Sequence, residues 1–256
     1  MARPVDIAAV DHAGFGLAED LGPFHAAPHS HPRHQLLYAR AGTMALVAER
    51  RRWLLPPQRA AWIPAGVVHE VRSDAGVELR TAYLSPTLCP EAPATCAVFP
   101  TTPLAREMLV YATELPAGSR HASRERVRDP FFAALGAMVS EWVRADDAYC
   151  LPLARSDELR RAVAHIETNV AEATASSTAA AAHVSQRTLS RRFEEEMGLS
   201  FRDYLQLSRM LRALELLAAP RSTVSQVAIA VGFQSPGAFA TAFRAHFGVP
   251  PSEYRA

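Results

Sequence analysis

STVSQVAIAVGFQSPGAFATAFRAHFGVPPSEYR, residues 222–255, carries the pattern of two short helices around a tight turn. Val227, Ala228 and Val231 give the first helix an apolar face at helical spacing. Gly232 follows, where a tight turn wants a residue that accepts positive φ. Ser235 stands where an N-cap belongs. Phe239, Phe243 and Phe247 recur every four residues, so one stripe of the second helix is aromatic and inward-facing. Gly248 closes that helix, and Pro250–Pro251 prevents its resumption. Upstream, TAAAAHVSQRTLSRRFEEEMG, residues 178–198, repeats the plan at a separation of 49–50 residues. Ala179 aligns with Ala228, His183 with Gly232 and Val184 with Phe233. Ser185 caps a helix that closes at Gly198, with Leu189 and Phe193 as its inward stripe. Gln186, Arg187, Ser190 and Arg191 are left outside. His183 stands where the second unit has glycine, and a left-handed backbone costs more there. Between the units, FRDYLQLSRMLRALELLA (201–218) sets Tyr204, Leu207, Leu211, Leu214 and Leu217 on one face of a continuous helix.

Over residues 157–255 these units resemble the DNA-binding domain of the AraC/XylS family of transcription regulators. Val227, Gly232, Phe233, Phe239, Phe243, Phe247, Gly248, Pro250 and Tyr254 carry the resemblance. It implies two helix-turn-helix units, about 178–198 and 224–248, whose recognition helices enter successive major-groove segments of double-stranded operator DNA, ~34 Å apart. The candidate DNA-binding residues are Gln186, Arg187, Ser190 and Arg191 in the first unit, and Ser235, Thr241 and Arg244 in the second. Arginine can read guanine O6 and N7 together, worth ~1–3 kcal/mol of discrimination. Pro236, Gly237, Ala240 and Thr241, the expected outer positions of the second recognition helix, offer no long hydrogen-bonding side chain. The first unit is therefore expected to read bases. The second is expected to hold phosphate through its helix N-terminus and Arg244.

The 256 residues suffice for two domains, and 49% of them are apolar. There is no apolar run of membrane length. MARPVDIAAV lacks a basic start followed by a hydrophobic segment, so no secretion signal is expected. Cys89, Cys96 and Cys150 are an odd set without metal spacing, which points to reduced thiols and a cytoplasmic location. Net charge is only +1, with arginine as the sole long-chain cation. Residues 155–256 hold twelve arginines against ten acidic residues. Affinity for DNA must then come from placement, and Arg187, Arg191, Arg192 and Arg209 gather in the first unit and the helix after it.

Residues 1–24 give no clear pattern. From His34 to Ser85 six runs, HQLLYAR, TMALVAE, RWLLP, RAAWIP, VVHEVRS and VELRTAYLS, read as short strands between turn residues. They predict a small antiparallel barrel or sandwich. His29, His31, Gln35 and Gly42 have the form H-x-H-x3-Q-x6-G, and Pro64, Gly66 and His69 the form P-x-G-x2-H. Both resemble the paired motifs of the cupin barrel, over about residues 25–85. Gln35 replaces the usual Glu, while Gln58 and Ser73 stand where the second motif has Gly and Asn. On a strand His29 and His31 would share a face, and Gln35 keeps their parity. His69 follows a Pro-Gly turn and can return to the same interior. His29, His31, Gln35 and His69 are thus the candidate ligands of a divalent transition metal, Zn, Ni, Fe or Mn. With Gln35 in place of Glu the whole set is neutral, which leaves an appetite for an anionic effector. The competing reading is a metal-free pocket with His29 and His31 exposed. Trp53, Trp62 and Tyr83 read as core.

PLAREMLVYATEL (103–115) and DPFFAALGAMVSEWVRAD (129–146) are amphipathic helices, with a basic loop at 116–128 between them. They can pack on the barrel or form a dimer seam, and the family resemblance favours dimerisation. Ser156 and Asp157 open a further helix with Leu159, Val163, Ile166 and Val170 inward. The fold class is α+β. An antiparallel cupin-like barrel and helical dimerisation segment (1–145) precede a linker (146–156) and an all-α DNA-binding domain (157–256). The function read from this is a cytoplasmic, effector-controlled, sequence-specific transcription regulator. Its partners would be operator DNA, a small molecule, a second copy and, for an activator, RNA polymerase, with no membrane. It is read as no enzyme. The rival, a metal-dependent cupin oxygenase or isomerase, would explain the histidines but leave residues 157–255 without a purpose.

Overall fold

The structure, a computed structural model, describes residues 6–118, 122–143, 149–218 and 222–254. The chain forms two compact units, one of Met1–Glu49 and Trp53–Tyr149, the other of Arg50–Arg52 and Cys150–Ala256. Of the expected linker, residues 146–148 lie outside the described residues, as do residues 119–121 of the expected basic loop.

The first unit is two antiparallel sheets facing each other in the manner of a cupin barrel. Its strands are β1 (Gly14–Leu21), β2 (Phe24–His29), β3 (His34–Gly42), β4 (Met44–Ala48), β5 (Arg51–Leu55), β6 (Arg59–Ile63), β7 (His69–Ser73), β8 (Val77–Leu84) and β9 (Ala97–Pro100). One sheet runs β1-β8-β3-β6-β9, and the other contains β5-β4-β7-β2 in that order. β1, β2 and β9 lie outside the six runs seen in the sequence. β1 is buried only at its first three residues, so no alternation marks it.

Strand parity sorts the faces of the first sheet. Leu36 and Tyr38 of β3 lie against α1 (Pro103–Ala112) and α2 (Ala122–Trp142), in one core with Leu109, Phe132, Leu135 and Val139. Gln35 has the opposite parity and sits directly across from Tyr83 of β8, which in turn sits across from Phe15 of β1. The helices approach the sheet closely. A Cβ on Gly16 would meet the Ala112 carbonyl at 2.2 Å, and one on Gly14 the Phe132 ring at 2.2 Å.

α2 begins at Ala122, inside the stretch expected to be a basic loop, and it contains Pro130. The reason is Arg128. Its guanidinium is buried and donates to the carbonyls of Gly14 (3.4 Å), Leu115 (2.9 Å) and Pro116 (3.0 Å). A charge that looks solvated in the sequence is a tertiary staple in the fold.

The second unit opens with a three-residue strand, β10 (Cys150–Pro152), followed by α3 (Asp157–Thr168), α4 (Ala175–Ala181), α5 (Gln186–Met197), α6 (Phe201–Leu217), α7 (Val224–Ala230) and α8 (Pro236–Phe247). α4 starts three residues before the predicted unit, because Thr174 and Ser177 form a capping box. The apolar face of α6 is wider than predicted. Leu205, Met210 and Ala213 are buried beside Tyr204, Leu211, Leu214 and Leu217, whereas Leu207 is half-buried. In α3 the buried set is Leu159, Ala162 and Ile166, with Val163 half-buried, and the helix ends at Thr168, short of half-buried Val170. All three cysteines are buried and outside any disulfide.

Candidate DNA-binding face and three-histidine site

The two helix-turn-helix units close by the same hydrogen bonds. Val184 N–H donates to the Ala179 carbonyl (3.0 Å) as Phe233 N–H does to Ala228 (2.9 Å). His183 N–H donates to Ala180 (3.1 Å) as Gly232 N–H does to Ile229 (3.0 Å). His183 takes φ 57° and Gly232 φ 84°, so the first turn does hold a histidine in the left-handed region. The hydroxyls of Ser185 and Ser235 accept the Thr188 and Ala238 amides and cap α5 and α8. Left-handed Gly198 and Gly248 end both helices. Phe239, Phe243 and Phe247 are buried in a chain of ring contacts, 5.5 and 4.7 Å between successive centroids.

Burial of Leu189, Phe193 and Met197 turns the other side of α5 outward. Gln186, Arg187, Ser190 and Arg191 are all exposed there. Ser235, Thr241 and Arg244 are exposed on α8, while Ala240 is half-buried. The four arginines grouped by sequence divide. Arg191 donates to Glu195 (3.1 Å) but stays 60% exposed. Arg192 pairs with Glu158 (3.5 Å) and Glu196 (3.3 Å). Arg209 is spent on the Val170 and Ala171 carbonyls, both at 3.0 Å. Arg192 and Arg209 therefore serve the fold. Glu196 also accepts the Arg155 and Ser156 amides (3.2 and 2.9 Å), tying the entry of α3 to α5.

In the first unit His29, His31 and His69 meet. Their ligand nitrogens lie within 4.8 Å of one another. The route differs from the strand parity inferred above. β2 ends at His29, His31 lies just past the strand, and a bend at 32–33 leads into β3. His29 and His69 converge because the β2–β7 register sets them opposite each other, rings 4.4 Å apart. His34 is turned away. Its Nδ1 accepts the Ala65 amide (3.0 Å), and its ring lies on Trp62.

Each of the three rings has its Nδ1 beside a backbone carbonyl: Ala27 for His29 (2.8 Å), Arg33 for His31 (2.8 Å) and Val67 for His69 (2.9 Å). A carbonyl only accepts, so each Nδ1 is a donor, and in the neutral ring that a metal requires each Nε2 keeps its lone pair. This is the orientation that outer hydrogen bonds impose on metal-ligating histidines. His69 Nε2 is buried with no hydrogen-bond partner. His31 Nε2 faces Gln35 Oε1 at 3.1 Å. That contact sets two lone pairs against each other unless a cation sits on the nitrogen. Burial, and then the neighbouring His29 and His31 rings, push the His69 pKa down to about 4 against the rise from its Val67 bond. Burial also lowers that of His31, against its bonds to Gln35 and Arg33. Three neutral imidazoles with converging lone pairs, one orphaned, fit a late first-row divalent ion. Tyr83, read as core from the sequence, joins this site. Its hydroxyl accepts from Gln35 Nε2 at 3.2 Å, and its ring stands edge-on to His31. Only the β3–β8 register reveals it.

Residues 16–141 match a family described as an AraC-like ligand binding domain, and residues 178–256 one described as a helix-turn-helix domain. A ligand-binding barrel and paired helix-turn-helix units in one chain define a regulator that connects a small molecule to DNA. The HTH-type transcriptional regulator NimR of Escherichia coli K12 is 30% identical over 228 residues, 88% of this chain and 81% of that one. The chain belongs to the AraC family of transcription regulators. The HTH-type transcriptional activator RhaR of Pectobacterium atrosepticum is 41% identical over 73 residues, 28% of this chain and 26% of that one. Among solved structures, ToxT from Vibrio cholerae O395 aligns over 94% of this chain and 96% of its own, at 14% identity and a TM-score of 0.39. No helix among the described residues is long and apolar enough to cross a membrane.

Proposed function

We propose that this regulator acts in the cytoplasm, without enzymatic activity, as a homodimer on operator DNA. Residues 1–145 sense the effector and residues 157–256 bind DNA, with 146–156 between them. α5 reads bases through Gln186, Arg187, Ser190 and Arg191. α8 holds the backbone through the N-terminus capped by Ser235, through Thr241 and through Arg244. Apolar side chains left outward on the helical segment, Leu104 at 54% and Tyr111 at 45% exposure, support its use as the dimer seam. An activator of this design would also meet RNA polymerase.

The observation that carries the DNA reading is the sidedness of α5. Four polar side chains stand outward while Leu189, Phe193 and Met197 anchor the opposite face. Titration of purified protein against promoter fragments and scrambled duplexes at moderate salt tests it. Preference for the promoter is the expected result, and equal affinity for both would sink the proposal.

His29, His31 and His69, with Gln35, would hold a divalent ion of the Zn, Ni, Fe or Mn group, and His69's orphaned Nε2 is the support for this. When bound, the ion supplies a Lewis-acidic position at which a small effector can be held. Effector occupancy then biases how the DNA-binding domains are presented. Dialysis against a chelator, metal analysis and a gel shift with and without added metal test this part. Identical footprints in every state would count against effector control.

A further inference from the structure

We propose that the three-histidine site takes a small carboxylate as its effector, held by the ion's uncompensated charge and by the Tyr83 hydroxyl, with Gln35 setting the direction in which Tyr83 donates. The inference rests on the metal reading above. The first observation is the charge of the ligand set. His29, His31, His69 and Gln35 are all neutral, and no Asp or Glu belongs to the cluster among the described residues. A divalent ion held by these groups keeps its full charge beside buried His31, His69 and Gln35, while exposed His29 leaves one side open to an incoming ligand. An uncompensated buried charge is costly, and an anion in the remaining coordination position removes that cost.

The second observation is the hydrogen-bond chain behind the site. Gln35 presents Oε1 to His31 Nε2 and donates from Nε2 to the Tyr83 oxygen. This orientation suits a loaded site, because the amide oxygen then faces a cation instead of a bare lone pair. It has a consequence for Tyr83. The phenol oxygen is occupied as an acceptor, so its own proton must be donated elsewhere. No acceptor for it exists among the described residues, and Tyr83 is only 7% exposed. A phenol holds its proton at neutral pH. The opposite amide orientation would use the Tyr83 proton on Gln35 itself. Loading therefore frees a buried donor beside a cation, the pair of groups that recognises a carboxylate oxygen.

The test uses the full chain stripped of metal and titrated with Co(II), whose absorption spectrum reports its coordination. Cobalt binding is read first, and acetate is then added, with acetamide as a neutral probe of similar size. Acetate is expected to change the spectrum of the loaded wild type, and acetamide to leave it as it was. Tyr83→Phe should still take up cobalt but bind acetate about tenfold more weakly. Gln35→Glu supplies the missing negative charge, so it should bind cobalt more tightly and lose the acetate response. Equal responses to acetate and acetamide, or unchanged acetate affinity in both variants, would overturn the inference while leaving the metal site standing. Failure of the wild type to bind cobalt at all would overturn both, and it shows before any acetate is added.

Discussion

His183 and Gly232 occupy equivalent turns and meet different constraints. Both backbones are left-handed, which costs a residue with a Cβ ~1–2 kcal/mol. At Gly232 a Cβ would also meet the Ala171 carbonyl at 2.3 Å. His183 is exposed, so its side chain has room and only the backbone strain remains. His183→Gly should therefore leave stability unchanged or raise it by up to about 1 kcal/mol, since the flexibility of glycine offsets part of the relief. Gly232→Ala should lower it by about 2–4 kcal/mol. Urea denaturation of the two variants distinguishes them, and equal losses would contradict the difference in surroundings. The cysteines give a second check at this scale. Burial, and then Glu49, push the Cys96 thiol up to about 12, and burial pushes Cys89 to about 11. Native protein at pH 8 should resist iodoacetamide at both positions and react fully once unfolded. The glycine was legible from turn chemistry alone. Tyr83 and Arg128 were not, because their partners, Gln35 and the Gly14 carbonyl, are 48 and 114 residues away in sequence.

Among the elements, α5 and α8 share caps, length and an inward apolar stripe, yet differ on the outside. α5 offers Gln186, Arg187 and Arg191, whereas α8 offers Pro236, Gly237 and Thr241. Arg191→Ala should relax base preference at one half of the operator, costing ~1–3 kcal/mol against the preferred base. Thr241→Ala should change affinity for every sequence by less than ~0.5 kcal/mol. Footprint mutagenesis decides the matter, and the strongest base dependence under α8 would refute the asymmetry. These helices were readable because their periodicity and caps are local. The histidine site was readable for a partly wrong reason. Parity placed His29 and His31 together, but His31 lies beyond the end of β2, and the β2–β7 register is what sets His29 against His69. α2 was cut short in the sequence reading for a related reason. Arg124, Arg126 and Arg128 look like a solvated run, and only the fold shows that Arg128 is enclosed.

At the scale of the whole molecule, charge says little and its placement says more. The net charge of +1 gives no general attraction to a polyanion. In the DNA-binding unit Arg192 and Arg209 are committed to internal partners. Exposed Arg187, Arg191, Arg202 and Arg244 are left to face phosphate or base, and Arg191 must first release Glu195. Each phosphate neutralised contributes a slope of about −0.9 to the dependence of log affinity on log salt. One DNA-binding unit with two to four such contacts should then show a slope between about −2 and −4. A protein held by bulk charge would lose affinity far more steeply. Specific binding here should accordingly persist at salt concentrations that abolish attachment to scrambled duplex. Arg187→Ala should make the slope shallower by about one unit if it meets phosphate and leave it unchanged if it meets a base. Affinity measured on one operator fragment across a salt series reads both quantities. A slope steeper than about −8 would mean that cations other than these arginines dominate, and the roles assigned to α5 and α8 would fall with it.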